Sequence, residues 1–273
     1  MSEFILRAEG VTKDYVAARG LLGQPTRLVR AVKGVSLAVA TGTTLALVGE
    51  SGSGKSTLGR CIAGLLRPTS GRIELAGHDV SQLAGGRLMA FRRQVQTIFQ
   101  DPYSSLNPRR RVGDAIMDGM VIHKLYSPDE RRDRMQALLA RVGLRPEHAQ
   151  RFPHQFSGGQ RQRIAIARAL ALEPRFIIAD EAVSALDVSV KAQVLDLLAD
   201  LQAEQGLTYL FISHDLGVVR HFADRVAIMA AGELVEEGEC DRIFEAPAQD
   251  YTRRLIAAVP RPDPSRRRLR QAA

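Results

Sequence analysis

The run Gly49-Glu50-Ser51-Gly52-Ser53-Gly54-Lys55-Ser56 has glycine at its first and sixth places, then a lysine and a hydroxyl residue, with Thr57 next in line. Glycines let backbone N–H groups turn inward around phosphate oxygens, and a helix starting at the lysine adds its positive end. Lys55 is then spaced to reach the β- and γ-phosphates, and the Ser56 hydroxyl to ligate Mg²⁺. The chemistry is the binding of a nucleoside triphosphate. Many reactions share it, so the run alone does not say which one follows.

A second group narrows the reaction. Phe176-Ile177-Ile178-Ala179-Asp180-Glu181 is an apolar strand that ends in two carboxylates, and ligands of open α/β sheets sit beyond the carboxyl ends of strands. Asp180 suits a Mg²⁺ ion, held through water, whereas Glu181 suits the polarising of a water for attack on the γ-phosphate.

These groups need a scaffold, and the hydrophobic periodicity supplies one. Alternation and β-branched runs predict strands near 3–8, 32–39, 43–48, 71–76, 94–99, 175–179, 207–212, 225–230 and 233–237. Between 101 and 172 the patterns are helical, with a proline-led capping box at Ser127-Pro128-Asp129-Glu130. A further helix is expected over 190–205. The reading is an α/β fold: a P-loop NTPase core with a mainly parallel sheet, an antiparallel N-terminal β edge and an inserted helical subdomain. The expected division is 1–100 and 173–260 for the core, 101–172 for the helical insertion and 261–273 for a basic tail.

Composition excludes several classes. The chain has 273 residues, 45% hydrophobic and 25% charged, which is globular, and two cysteines, Cys61 and Cys240, too few for a disulfide framework or a zinc or iron–sulfur site. No apolar run approaches the roughly 18–20 residues of a membrane span, and the opening Met1-Ser2-Glu3-Phe4-Ile5-Leu6-Arg7 does not fit a signal peptide. Half of the net charge of +8 comes from 261–273, where Arg261, Arg266, Arg267, Arg268 and Arg270 stand against Asp263. No aromatics interleave with these arginines, so nucleic acid is not expected as a partner.

About twenty residues before the Asp-Glu strand stands Phe156-Ser157-Gly158-Gly159-Gln160-Arg161-Gln162-Arg163. Ser157 is a natural N-cap, and Gly158 and Gly159 expose backbone N–H groups at the start of a helix running to about Leu172. Together with the P-loop, this run resembles the ABC (ATP-binding cassette) ATPase family over nearly the whole chain. The resemblance implies that Ser157, Gly158, Gly159 and Gln160 reach across a dimer to the γ-phosphate on the other subunit's P-loop. It implies that Gln100, after Val95–Phe99, senses Mg²⁺ and the attacking water while contacting a membrane partner. Ser184-Ala185-Leu186-Asp187 resembles the loop that links the two nucleotide sites, and His214, in Phe211-Ile212-Ser213-His214-Asp215, resembles the switch histidine that orients Glu181 and bonds the γ-phosphate. Tyr15, in Val11-Thr12-Lys13-Asp14-Tyr15, stands where the family stacks an aromatic on adenine.

Within the family, Phe99-Gln100-Asp101-Pro102-Tyr103-Ser104-Ser105-Leu106-Asn107-Pro108, the stretch from Asp187 to Val194 and the ending from Tyr251 to Pro260 resemble the oligopeptide, dipeptide and nickel importer branch. An extra loop expected over 17–29 points to the second of its two ATPase subunits. Ala182-Val183 departs from the commoner Pro-Thr, and Gln249-Asp250 from His-Pro. What the resemblance implies is an ATP- and Mg²⁺-dependent subunit on the cytoplasmic face of the inner membrane, paired with a homologous ATPase beneath two permeases and fed by an extracytoplasmic binding protein. The coupling surface is expected within 100–125, at Ile116, Met117, Met120, Val121 or Ile122. The competing reading is a soluble accessory ATPase of an enzyme complex such as carbon–phosphorus lyase.

Overall fold

The structure is a computed structural model that describes residues 3–19, 25–101 and 106–258. Its strands are β1 (Phe4–Arg19), β2 (Pro25–Ala40), β3 (Thr44–Val48), β4 (Ser70–Leu75), β5 (His78–Asp79), β6 (Val95–Ile98), β7 (Phe176–Asp180), β8 (Thr208–Ser213), β9 (Arg225–Ala230) and β10 (Glu233–Glu239). Its helices are α1 (Lys55–Ile62), α2 (Gly85–Gln94), α3 (Val112–Ile122), α4 (Pro128–Arg141), α5 (Gly158–Leu170), α6 (Val188–Gln205), α7 (Leu216–Phe222), α8 (Cys240–Glu245) and α9 (Asp250–Ala257).

The central sheet has the order β10-β9-β3-β8-β7-β6. Its β9-β3-β8-β7-β6 pairs are parallel, and only β10 runs antiparallel. Both faces are covered, and the period of two along each strand sorts the side chains. Ala46, Val48, Ile177, Ala179, Tyr209 and Phe211 point into one apolar cluster with the helices α3 to α7. Leu45, Leu47, Phe176, Ile178, Leu210 and Ile212 point into the other, with Leu58 and Ile62 of α1. Leu45 and Leu47 are fully buried, and such burial stabilises by about 2 kcal/mol per side chain. This double burial explains why β3, β7 and β8 read as continuous apolar runs.

The N-terminal strands are antiparallel, as expected, and stand apart from the central sheet. They form a second, antiparallel sheet, β2-β1-β4-β5, whose Leu6, Val11, Val32, Val35 and Ile73 close over α1 in the second cluster. The loop expected over 17–29 is different. β1 and β2 make one long hairpin in which Ala18 pairs with Arg27 and Arg19 with Pro25, and residues 20–24 lie outside the described residues. The parts of the expectations that fall on 102–105, Val259-Pro260 and the tail 261–273 lie outside them as well.

Between β6 and β7 the described residues hold no strand, only α3, α4, α5 and short 3-10 turns. The capping box at α4 is complete: Glu130 N–H donates to Ser127 Oγ at 3.4 Å and Ser127 N–H to Glu130 Oε2 at 2.7 Å. Such a cap is worth about 1 kcal/mol.

Candidate functional site

Strand register brings the predicted groups together. Val48 pairs with Ser213, Asp180 with Ile212 and Ile98 with Ala179, so β3, β8, β7 and β6 end side by side. The residues that follow them, Gly49, His214, Glu181 and Gln100, therefore leave the sheet on one rim, as expected of ligand sites in parallel sheets.

The loop from Gly49 to Gly54 turns into α1 through Gly54, whose φ of 101° is left-handed. A Cβ at Gly54 would lie 2.3 Å from the Ala31 carbonyl oxygen, so glycine is needed for space as well as conformation. Lys55 folds back into the loop. Its buried ammonium donates to Gly49 O and Glu50 O, both at 2.8 Å, and to Ser53 Oγ at 3.3 Å. Burial pushes its pKa down, opposed by the charges of Glu181 and Asp180. Glu50, Ser51 and Gly52 are exposed or at the loop's outer turn, and Thr57 is half-buried.

Ser56 Oγ donates to Asp180 Oδ1 at 2.9 Å. Burial pushes the Asp180 carboxyl up, and the Ser56 hydrogen bond and Arg60 oppose it. The pair is all oxygen, which is the donor type of a hard divalent cation. Among the described residues no group of three His, Cys, Asp or Glu side chains could hold a metal. These two residues fit Mg²⁺ that takes its other oxygens from phosphate and water.

Glu181 has a left-handed backbone, φ 50°, a strained conformation for a non-glycine residue that needs support. Support comes from Glu181 N–H to Ile212 O at 2.9 Å and from Ser184 N–H and Oγ to Glu181 O at 3.0 and 2.9 Å. The turn aims its carboxylate at His214, whose Nδ1 lies 3.3 Å from Glu181 Oε2. Ala182 and Val183, the departures beside it, are buried in the core, so this turn is held by packing without a proline. Gln100 is exposed, two residues past Ile98.

Ser157, Gly158, Gly159 and Gln160 form a capped, open helix start. Ser157 N–H donates to Gln160 Oε1 at 3.1 Å and Gln160 N–H to Ser157 Oγ at 3.3 Å. Among the described residues no hydrogen bond joins 157–160 to 49–57; this helix start faces Leu186 and Val190 instead. Asp187 is exposed and opens α6, where its carbonyl accepts from Lys191 N–H at 2.8 Å. Tyr15 is 41% exposed on β1, opposite Val29, with the Lys13 ammonium 5.6 Å from its ring centre.

The family called ABC transporter matches residues 32–184, more than half of the chain. This chain belongs to the ABC transporter family. A second match, described as the C-terminal region of oligopeptide/dipeptide transporters, covers 235–273 of this ABC cassette. The cassette is 54% identical over 269 residues to the glutathione import ATP-binding protein GsiA of Salmonella paratyphi A, covering 98% of the chain and 43% of that relative. It is 52% identical over 266 residues to GsiA of Escherichia coli K12, covering 97% and 43%. The chain thus spans less than half the length of these curated relatives. Among solved structures it resembles the dimeric ATP-binding cassette MJ0796 in a post-hydrolysis state bound to ADP and Pi, at TM-score 0.76 and 32% identity, over 86% of this chain and 98% of that one. It also resembles cbiO1 from Clostridium perfringens, part of the ABC transporter complex cbiONQ, at TM-score 0.75 and 29% identity, over 90% and 92%.

Other expectations for the cassette divide. Ile116 and Met120 are core residues of the helical layer and offer no docking surface, because the inner face of α3 packs them against α4 and α5. Met117 is partly buried, whereas Val121 and Ile122 are 52% and 63% exposed. α2 and the residues just past α3 border a groove of about 470 Å³ lined by Met89, Ala90, Arg93, His123, Leu125 and Glu173. Sequence reasoning also missed Asp215. It caps α7 by accepting from Gly217 and Val218 N–H at 3.1 and 3.3 Å. An aspartate directly before a helical run was the available signal.

Proposed function

We propose that this cassette binds and hydrolyses ATP, with Mg²⁺, as the energising subunit of an importer for peptide-like solutes of the glutathione, dipeptide or oligopeptide kind. The observation that carries this reading is the pairing of Ser56 with Asp180 and of Glu181 with His214, 2.9 and 3.3 Å apart, beside the glycine loop. In the proposed reaction Lys55 leaves its loop carbonyls for the β- and γ-phosphates, and Glu181, oriented by His214, accepts hydrogen-bonding from the attacking water. Ser56, Asp180 and Gln100 would hold Mg²⁺, which supplies neutralisation of phosphate charge.

The open helix start at 157–160 suits the terminal phosphate of a partner cassette, and Tyr15 suits adenine. The working unit is therefore a pair of cassettes beneath two permeases, on the cytoplasmic face of the membrane. An extracytoplasmic binding protein supplies the solute. Residues 1–100 and 173–260 act as the ATPase core, and 101–172 as the helical arm. The exposed end of α3, at Val121 and Ile122, and the groove between α2 and His123 are the proposed seat for a permease segment. Among the described residues no helix is long and apolar enough to cross a membrane, so this role assigns the crossing to partner subunits.

Capture of tagged Glu181→Gln protein from detergent-solubilised membranes with ATP and Mg²⁺ tests the reading. Two permeases and a second cassette are expected. Recovery of a soluble enzyme complex without permeases would overturn transport and favour the accessory-ATPase reading.

A further inference from the structure

Resting on that reading of the site, we propose that Lys191 is a positioning residue for ATP hydrolysis: through Asp215 it fixes the segment that presents His214 to Glu181. The His214 ring is 54% exposed, and its Nδ1 contact with Glu181 is long at 3.3 Å. A ring so loosely held takes its place mainly from the backbone on either side. On one side is Ser213, the buried last residue of β8. On the other is Asp215, which is tied in three directions.

Asp215 N–H donates back to Ser213 Oγ at 3.0 Å. Oδ1 accepts from Gly217 and Val218 N–H, which joins the segment to α7. Oδ2 accepts from Lys191 Nζ at 2.8 Å, which joins it to the first turn of α6. The first two ties lie within five residues of each other and move with the segment. Of these three ties, the Lys191 bond is the one that reaches beyond β8 and α7, the two elements the segment itself connects. The pair is partly shielded, with the Lys191 side chain 19% and the Asp215 side chain 37% exposed, so solvent screens it less than a fully exposed pair. Burial pushes the Asp215 carboxyl up, yet Lys191 and the amides of Val218 and Gly217 hold it below the usual range.

α6 is a sound anchor. Lys191 N–H is bonded to Asp187 O at 2.8 Å, and further along the helix Val194, Leu198 and Leu201 are buried against the sheet. Loss of the ammonium leaves Asp215 with its α7 cap and a carboxylate without its counter-charge, one residue from His214. The segment is then free to shift by a fraction of an ångström. Such displacements are enough to cost catalysis, because the water and its base must be aligned.

The experiment uses the full chain purified with its accompanying subunits. Lys191→Gln should lower kcat about tenfold with KM for ATP changed less than about twofold, and Lys191→Arg should recover most of the loss. Asp215→Asn combined with Lys191→Gln should be little worse than Asp215→Asn alone, because both remove one link. A purely structural role would lower the melting temperature and leave kcat of the folded protein unchanged. Wild-type kcat in Lys191→Gln, with hydrolysis abolished in Glu181→Gln, would overturn this inference and spare the site. Unimpaired hydrolysis by Glu181→Gln would strike the site reading itself.

Discussion

Replacing Gly54 by alanine separates two reasons for a glycine, and Gly52 provides the control. Both have left-handed backbones, φ 101° at Gly54 and 80° at Gly52. A Cβ at Gly52 meets nothing within 4 Å, whereas at Gly54 it would lie 2.3 Å from the Ala31 carbonyl oxygen. That oxygen cannot simply retreat. Lys33 N–H donates to Gly232 O at 2.8 Å and Gly232 N–H to Ser53 O at 3.0 Å, so β2, the β9–β10 turn and the glycine loop are laced together. Gly52→Ala pays backbone strain only, about 1–2 kcal/mol. Gly54→Ala pays that strain and must also move β2 or the loop, about 3–5 kcal/mol in all. At about 3 °C per kcal/mol for a chain of this size, melting points should fall by about 3–6 °C and about 9–15 °C. Calorimetry of the two variants, in parallel with nucleotide titration, reads both effects. Equal shifts in the two would refute the close approach to Ala31, and with it the claim that the N-terminal sheet braces the phosphate loop.

Two further predictions concern charge. Lys55→Ala removes the ammonium that the phosphates would take up, a charge-assisted contact of about 2–3 kcal/mol, so ATP should bind about 30- to 150-fold more weakly by equilibrium dialysis; affinity within a few-fold of the parent would contradict the loop's assignment. The Cys61 thiol, buried in α1, is pushed up from 9.0 to about 11, with Lys13 opposing. The folded chain keeps a proton there that the unfolded chain releases, so stability should fall as pH rises through that window, by at most about 1.4 kcal/mol per pH unit. Urea midpoints on either side of the window should fall more steeply for the parent than for Cys61→Ala, and identical slopes would rule this out.

The central strands were legible because both faces are buried. Leu45 to Val48 and Phe176 to Ala179 have no solvent face to break their apolar runs. The N-terminal hairpin was legible only in part. Predicted strands at 3–8 and 32–39 capture the buried pairs Leu6–Val39 and Ala8–Leu37 but stop short of Val11, which is buried opposite Val35; β1 continues to Arg19 and β2 starts at Pro25. Around the pair Tyr15–Val29 and the pair Val16–Leu28 both partners are exposed, so burial imposes no alternation there, and cross-strand backbone bonding alone extends the strands. For α3, helical periodicity suggested apolar residues without saying which face is covered. The packing buries Ile116 and Met120 and leaves Val121 and Ile122 outside.

By itself the sequence determined the local chemistry: a phosphate loop, two carboxylates at a strand end, and a capped glycine helix start. Each depends on neighbours in the chain, through turn conformation, strand termination and capping. The pairings needed the tertiary structure. Ser56 meets Asp180 across 124 positions, His214 meets Glu181 at the ends of the adjacent strands β8 and β7, and Lys191 meets Asp215 between two helices. Such contacts are set by the order and register of β3, β8 and β7 in the sheet. That order comes from burying both faces at once, a property of the whole core that no single segment carries.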